Sequence, residues 1–508
     1  MKLLKLLLGK PLLVLLALMV QATVLWVAIL FFNHYFLVFQ IVSLILGLLI
    51  FLQMLNRFER PEFKLPWLLM ILALPWFGVL LYFCLATPHE SKAHRHQSEA
   101  FYHAKNSCLP PQRYALSAQK HLGAHTGTAQ YVSRFTHSAP HAQCRTRYFP
   151  CGEDFYADLL RELEKAERFI FMEYFIIAPG EMWDGIHRIL QKKLAQGVEV
   201  RILYDDVGNL GKTGAGFYKK LRKEGIRCHK FNPIRPVLSG IQNNRDHRKI
   251  TVIDGHIAYT GGINIGDEYI NHTHPHGHWK DSALRIEGSA VGELTCLFLQ
   301  LFDECAHTAS PLSAYVCAEP QTFDEDGAVQ PFGDGPRPHF SEPIAENTFI
   351  QMIRTAKQSV CITTPYLIID HNLLTALRNA AARGVEVRII TPHVPDKRLV
   401  FHVTRWHYRP LLEAGVRIYE YTPGFLHAKS IVCDGEIAFV GTVNFDYRSL
   451  AHHFECGTLL YHTPCIARIC ADFEDTVALS QEITAENFRM NGLVSLGCAV
   501  LSVFFPLL

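Results

Sequence analysis

The chain has 508 residues, enough for more than one domain at ~100–200 residues each. Forty-nine Lys and Arg nearly balance 47 Asp and Glu, for a net charge of +2, which argues against the broad positive footprint of a nucleic-acid binder. Fourteen cysteines with no CxxC pair signal neither a zinc ribbon nor a small disulfide scaffold, and fit buried free thiols facing a reducing compartment.

The front of the chain reads as membrane. Residues 11–32, 36–55 and 66–86 carry no Asp, Glu, Lys, Arg or His, and each run is near the ~20 residues that cross a ~30 Å hydrocarbon layer. Only Asn33-His34-Tyr35 separates the first two, which predicts a tight helical hairpin. A signal peptide competes for the first run, but that run is long, lacks a small-residue cleavage site, and is followed by two more. Lys2, Lys5 and Lys10 precede the first run, and Arg57, Arg60 and Lys64 lie between the second and third. Both basic segments favour the cytoplasmic side. Three full crossings would then put the C-terminal part outside, whereas the cysteines point the other way; a re-entrant first segment would reconcile them. Two or three helices are therefore expected in 1–86. Residues 87–140 are polar and His-rich, and read as a connector. The apolar end, 491–508, is short for a span and is expected to lie on or partly in a membrane.

Between connector and tail the chain repeats itself. AERFIFMEYFII (166–177) answers AKQSVCITTPYLII (356–369), and LAQGVEVRILY (194–204) answers AARGVEVRIIT (381–391). LRKEGIRCHKF (221–231) answers LLEAGVRIYEY (411–421), and HRKITVIDGHIAYTGGIN (247–264) answers HAKSIVCDGEIAFVGTVN (427–444). Short Val- and Ile-rich runs alternate with helical periodicity, which predicts an α/β fold with one half in 141–320 and the other in 321–490. Gly225 and Gly415 are 190 apart, His247 and His427 only 180, so the first half carries about ten extra residues before its motif. That insert, NPIRPVLSGIQNNRD, is a loop by its Pro, Gly and Asn content and a candidate substrate-side loop.

Each motif offers the same chemistry. His247 and Lys249 are two apart on an expected strand, so both side chains share a face; the turn follows at Asp254-Gly255, and Asn264 comes seventeen residues after the His. His427, Lys429, Asp434-Gly435 and Asn444 repeat that layout. Packing of the halves about a pseudo-twofold axis would join the two sets. One imidazole can then attack a phosphodiester, and the other can protonate the leaving alkoxide and later deprotonate the incoming alcohol. Lys249, Lys429, Asn264 and Asn444 can hold the non-bridging oxygens, so fixed cations neutralise the charge with no metal and no cofactor. A nucleophilic His needs its second ring nitrogen held by an acceptor. Glu455 is the candidate in the second half, and Asp281 its counterpart in the first, ahead of Glu268. His272, His274, His276 and His278 alternate in a tract that reads as a flexible loop, with a regulatory or adventitious zinc site as the other reading.

HxKxxxxD with a trailing GGxN or GTxN resembles the phospholipase D superfamily, and the wider text resembles bacterial cardiolipin synthases. NNRDHRKITVIDG (243–255), GGINIGDEY (261–269), QPFGDGP (330–336), TTPYLI (363–368), GFLHAKS (424–430), GTVNFDYRS (441–449) and the front segment FKLPWLLMILALPWFGVLLY (63–82) carry the likeness. It implies a duplicated phospholipase D-like domain with pseudo-twofold symmetry behind N-terminal transmembrane helices, in a bacterial plasma-membrane protein. It also implies a transesterification. One phosphatidylglycerol gives its phosphatidyl group to a His and releases glycerol; a second attacks through its headgroup hydroxyl, giving cardiolipin. By the same likeness His247, Lys249 and Asp254 with His427, Lys429 and Asp434 are catalytic, His247 as nucleophile and His427 as acid/base. Partners are then phosphatidylglycerol and the bilayer, with no nucleic acid. A phospholipase D using water and a phosphatidylserine synthase share the motif; a nuclease of the superfamily and a membrane scaffold fit the chain less well.

Overall fold

A computed structural model describes residues 19–27, 36–56, 60–85, 92–109, 111–214, 216–234, 240–337 and 339–507. It divides into two compact units, one of residues 1–89, 234–243 and 495–508, the other of 90–233 and 244–494.

In the first unit, the second apolar run forms α1, Phe36–Leu55, described without interruption over 40–55. The third run does not form one span. It breaks at Leu74-Pro75 into α2, Pro61–Ala73, and α3, Pro75–Leu85. Proline lacks the N–H that would continue the helix, and its ring disfavours helical backbone in the residue before it; Leu74 sits at φ −139°. The two pieces fold back on each other. Trp67 and Tyr82 meet edge to face with ring centroids 5.6 Å apart, although fifteen residues of continuous helix would hold them ~22 Å apart. Gly78 permits this approach, because a Cβ there would lie 2.7 Å from the backbone of Ile71. Over the described residues, no helix is long and apolar enough to cross a membrane. The expectation of two or three transmembrane helices in 1–86 thus finds no spanning helix among the described residues, and the third run is two short helices. Most of the first run, Lys2, Lys5, Lys10, Asn33-His34-Tyr35 and Arg57 lie outside the described residues, of which 19–27 is helical. The insert and the tail join this unit: Gly240 lies against the carbonyl of Leu85, Leu507 packs on the cluster around Trp67 and Tyr82, and the Asn243 amide donates to the Leu507 carbonyl at 3.4 Å.

In the second unit the stretch read as a connector carries helices. Lys92–Cys108 (α4), Pro111–Ala118 (α5) and Thr126–Thr136 (α6) bury Tyr114, Ala118, Ala129 and Val132 in the main core. Few residues per turn face inward, so the polar majority hides the periodicity. A buried Lys105 is held by Glu293 at 2.7 Å.

The duplication is present strand for strand. The first repeat supplies β1 (Arg145–Phe149), β2 (Phe169–Tyr174), β3 (Glu199–Asp205), β4 (Arg227–Phe231), β5 (Ile250–Ile253), β6 (Ile257–Gly261), β7 (His278–Lys280) and β8 (Ala283–Glu287). All but β7 form a seven-stranded sheet ordered β1-β8-β6-β5-β2-β3-β4. The second repeat supplies β9 (Ala328–Asp334), β10 (Ser359–Thr363), β11 (Glu386–Pro392), β12 (Arg417–Tyr421), β13 (Gly424–Leu426), β14 (Ser430–Cys433), β15 (Ile437–Gly441), β16 (His453–Tyr461) and β17 (Ser480–Ile483). Its sheet runs β9-β16-β15-β14-β10-β11-β12, the same order, with β17 added at the edge. In each sheet three strands are parallel, joined by helical crossovers, and the rest antiparallel.

Two short pairings join the repeats. Arg245–Asp246 runs parallel to the start of β16, with His453 opposite Arg245 and Phe454 opposite Asp246. β13 runs parallel to β7, with Leu426 opposite Lys280. One step further along each pair puts His247 opposite Glu455 and His427 opposite Asp281.

Candidate active site

Those registers bring the two motifs into one site. His247 Nδ1 stands 3.0 Å from both carboxylate oxygens of Glu455, and His427 Nδ1 stands 2.6 Å from Asp281 Oδ2. The two carboxylates expected as orienters both lie against the histidines, but crossed in partnership: each histidine is held by the carboxylate of the other repeat. Backbone bonds fix the crossing, because the His247 N–H donates to the Phe454 carbonyl at 2.9 Å and that of His427 to Lys280 at 2.6 Å. With Nδ1 engaged, Nε2 of each ring is left for chemistry. Glu268, the lesser candidate, instead pairs with Lys212 at 3.2 Å.

The carboxylates are themselves positioned. Glu455 accepts from Ser449 Oγ at 2.6 Å and from the Thr442 hydroxyl. Asp281 accepts from the Ser282 N–H at 2.8 Å. This explains the difference between GGIN and GTVN. A Cβ on Gly262 would lie 2.0 Å from Asp281 Oδ1, so that position must stay bare, whereas the equivalent Thr442 supplies a donor to Glu455.

Lys249 and Lys429 are almost fully buried and donate to the carbonyls of His247 and His427. The residue between His247 and Lys249 points the other way, and Arg248 meets Glu173 of β2 at 2.8 Å. Burial pushes the Lys249 ammonium down to about 8 and that of Lys429 to about 7, against the partial support of Glu455 and Asp281. Burial, then Lys429, pushes His427 down to about 4. His247 lies well below the usual histidine range through burial, then the two lysines. Both imidazoles are neutral near pH 7, beside a mostly protonated Lys249 and a Lys429 near its midpoint, which suits an anionic phosphodiester.

The asparagines differ. The Asn264 side chain accepts from the Ile176 N–H at 3.1 Å and donates to Tyr269 Oη at 2.8 Å. Tyr269 in turn stands edge-on to the His427 ring, 5.7 Å between centroids. Asn444 is buried, and its carbonyl oxygen is without a hydrogen bond among the described residues, so its amide is uncommitted.

Asp254 and Asp434, expected with the catalytic residues, lie elsewhere. Both occupy the turns at the far ends of their hairpins, at φ 54° and 56°. Asp254 accepts from the N–H groups of Glu167, Arg168 and Phe169 at 2.7–2.8 Å, and Asp434 from those of Lys357, Gln358 and Ser359 at 2.8 Å. Each ties its hairpin to the neighbouring central strand. The physical reason is that Asp tolerates left-handed backbone and satisfies unpaired strand-end donors.

Sequence reasoning missed His453. It lies two residues before Glu455 on β16, hence on the same face, and that spacing was the available signal. Its ring is 5.3 Å from that of His247, and its Nδ1 is 3.6 Å from Glu455. Burial pushes it down to about 3. Phe175 walls the site beside His247 at 5.1 Å, and Trp279 and Phe425 beside His427 at 5.4 and 5.9 Å. His247, His453 and Glu455 hold ligand atoms within 4.8 Å of one another, so they could take a metal. The tract residues His272, His274, His276 and His278 are in no such group among the described residues.

The chain resembles known proteins in sequence and in fold. Residues 159–296 and 349–477 match the family model described as "Cardiolipin synthase, PLD-like domain". An uncharacterised Streptococcus mutans protein is 40% identical over 84% of this chain and 92% of its own. A Geobacillus cardiolipin synthase is 36% identical over 86% of each. The solved phosphatidylserine synthase of Haemophilus influenzae superposes with a TM-score of 0.56 over 74% of this chain and 96% of its own, at 15% identity, a likeness of fold alone.

Proposed function

From the premise that the chain belongs to the cardiolipin synthase family of phospholipase D-like proteins, we propose that it is a phosphatidyltransferase joining two phosphatidylglycerol molecules into cardiolipin. The crossed pairs His247–Glu455 and His427–Asp281, with two buried lysines beside them, carry this reading.

His247 Nε2 attacks the phosphorus of the first phosphatidylglycerol and displaces its glycerol oxygen. The incoming anion raises the proton affinity of His427, which takes a proton from water on substrate binding and hands it to that oxygen, and glycerol leaves. The bond from phosphorus to His247 then bears the phosphatidyl group, and Glu455 balances the positive imidazole ring. A headgroup hydroxyl of the second phosphatidylglycerol gives its proton to His427 and attacks phosphorus. The P–N bond breaks, His247 is regenerated, and cardiolipin departs. Lys249, Lys429 and the uncommitted Asn444 amide face the non-bridging oxygens as charge moves onto them; Asn264 acts through Tyr269. The superfamily likeness supports the order of the two histidines, and the aromatic lining supports preference for a lipid alcohol over water.

We read the first unit as membrane-embedded. Leu37, Leu44, Leu48 and Leu52 of α1 are 52–69% exposed, an apolar surface of the kind that water disfavours and lipid accepts.

The test is the full chain in vesicles containing labelled phosphatidylglycerol and no other phospholipid donor. Cardiolipin and free glycerol in equal amounts are expected. Phosphatidic acid as the sole lipid product would overturn the transferase reading in favour of hydrolysis.

A further inference from the structure

Far from the catalytic histidines, at the turn end of the second motif hairpin, three other metal-ligating side chains converge. His125 closes the 3₁₀ turn Gly123–His125. Glu436 follows the Asp434-Gly435 turn between β14 and β15, and His462 follows β16. Their ligand atoms all lie within 4.8 Å of one another, and His125 Nε2 is 3.4 Å from Glu436 Oε2.

The local backbone holds the group together. The His462 N–H donates to the Glu436 carbonyl at 2.7 Å, and His462 takes left-handed backbone at φ 52°. The His125 ring stands 5.8 Å from that of His462. His125 is only 3% exposed, and neither of its ring nitrogens makes a hydrogen bond among the described residues. A buried imidazole without a partner is costly, and folded proteins rarely tolerate one. The Glu436 distance is that of an ion pair lacking hydrogen-bond alignment, so it does not remove the cost.

We propose that His125, Glu436 and His462 bind a divalent transition-metal ion of the zinc class, at a site separate from the catalytic centre. Two imidazoles and a carboxylate suit zinc and its first-row neighbours; magnesium and calcium prefer all-oxygen shells. Metal–nitrogen and metal–oxygen bonds of ~2.0–2.2 Å in a tetrahedron place ligand atoms ~3.3 Å apart. Glu436 and His462 are exposed and free to close that gap onto the buried His125, leaving the fourth position to water. The ion would fasten three distant segments: the 123–125 turn, the hairpin turn of the second motif, and the end of β16, the strand that carries Glu455. It takes no part in the transfer reaction and acts as a clamp on the second repeat.

The experiment uses the full chain in detergent micelles, stripped with chelator and titrated with zinc chloride, reading bound zinc and Tm together. The wild type is expected to take up zinc at this site and to gain several degrees in Tm. Glu436→Gln and His462→Gln lie on the surface, so they fold; each should lower zinc affinity at least tenfold and abolish the Tm gain, with chelated activity unchanged. His247→Ala tests the catalytic group, and the combined variant His272→Gln, His274→Gln, His276→Gln tests the histidine tract. Both should keep the wild-type uptake and Tm gain. The proposal is overturned if the stripped wild type binds no zinc, if Glu436→Gln and His462→Gln bind it as the wild type does, or if uptake is lost with His247 or with the tract. Failure of cardiolipin synthesis would leave this result standing, because the readouts are metal content and stability.

Discussion

Each site histidine is held at Nδ1 by a carboxylate of the opposite repeat, His247 by Glu455 and His427 by Asp281. Asp281 and Glu455 are legible from HWKDS and HHFECG, but a linear reading assigns each to the histidine of its own half. Partnership depends on two three-dimensional registers, Arg245–Asp246 on β16 and β13 on β7, which no local pattern encodes. Removing either carboxylate leaves a histidine with an unheld tautomer, and Glu455→Gln and Asp281→Asn should each cost ~10²–10⁴-fold in transfer rate. The crossing gives them different signatures. Asp281→Asn weakens His427, which serves both steps, so labelled phosphatidyl-enzyme forms slowly but, once formed, persists after mixing because the second alcohol is poorly deprotonated. Glu455→Gln weakens His247, so little intermediate forms. Rapid-quench trapping reads this, and the reverse pattern would exchange the roles of the two histidines. Lys429 adds a pH argument. Its pKa is about 7 in the fold and near 10.5 when unfolded, so between these values the unfolded chain binds more protons and stability rises with pH. Lys429→Met should abolish transfer yet raise Tm at pH 7, with the gain fading as pH approaches 10.5. Thermal melts at several pH values check this, and a Tm loss at pH 7 would refute it.

At the scale of elements, the paired hairpins show what a motif's letters do. HxKxxxxD spans a whole hairpin, with chemistry at one end and architecture at the other. His and Lys sit where the strand enters the shared site. The Asp sits at the turn and binds three N–H groups at the start of the neighbouring strand, β2 or β10. A repeated motif invites a catalytic reading of every letter, yet the duplication here preserves a fastening as faithfully as a nucleophile. Asp254→Ala and Asp434→Ala each lose charge-assisted bonds of ~1.5–3 kcal/mol to ionised groups. Each should lower Tm by several degrees while kcat per folded molecule stays within about threefold. Calorimetry beside an active-site titration decides it, and a hundredfold fall in kcat with unchanged Tm would return the Asp to the chemistry. The helices of 92–136 are the opposite case: few inward residues per turn left too weak a period to read, although Tyr114, Ala129 and Val132 enter the main core.

Over the whole molecule, the repeat, its offsets and the alternation of strands with helices were legible, because duplicated apolar runs and turn residues survive as text; the order of strands in each sheet was not. The fold-back of the third apolar run was not, because composition alone cannot separate one span from two short helices meeting at Leu74-Pro75. That fold-back bears on sidedness. A segment that crosses carries the chain to the other face; a helical hairpin returns it to the face it left. Arg60 and Lys64 open α2, and basic residues beside apolar runs favour the cytoplasm. If α1 crosses and the α2–α3 hairpin returns, the chain after residue 86 emerges on the cytoplasmic side. The 14 cysteines, all free among the described contacts, then lie where thiols stay reduced. This removes the conflict between basic segments and cysteines without a re-entrant first segment. An impermeant protease should therefore leave the catalytic unit whole when added to intact protoplasts and cut it in inverted membrane vesicles. Cleavage in intact protoplasts would mean that the third run crosses after all, and that the α2–α3 contact through Trp67, Gly78 and Tyr82 does not hold in the bilayer.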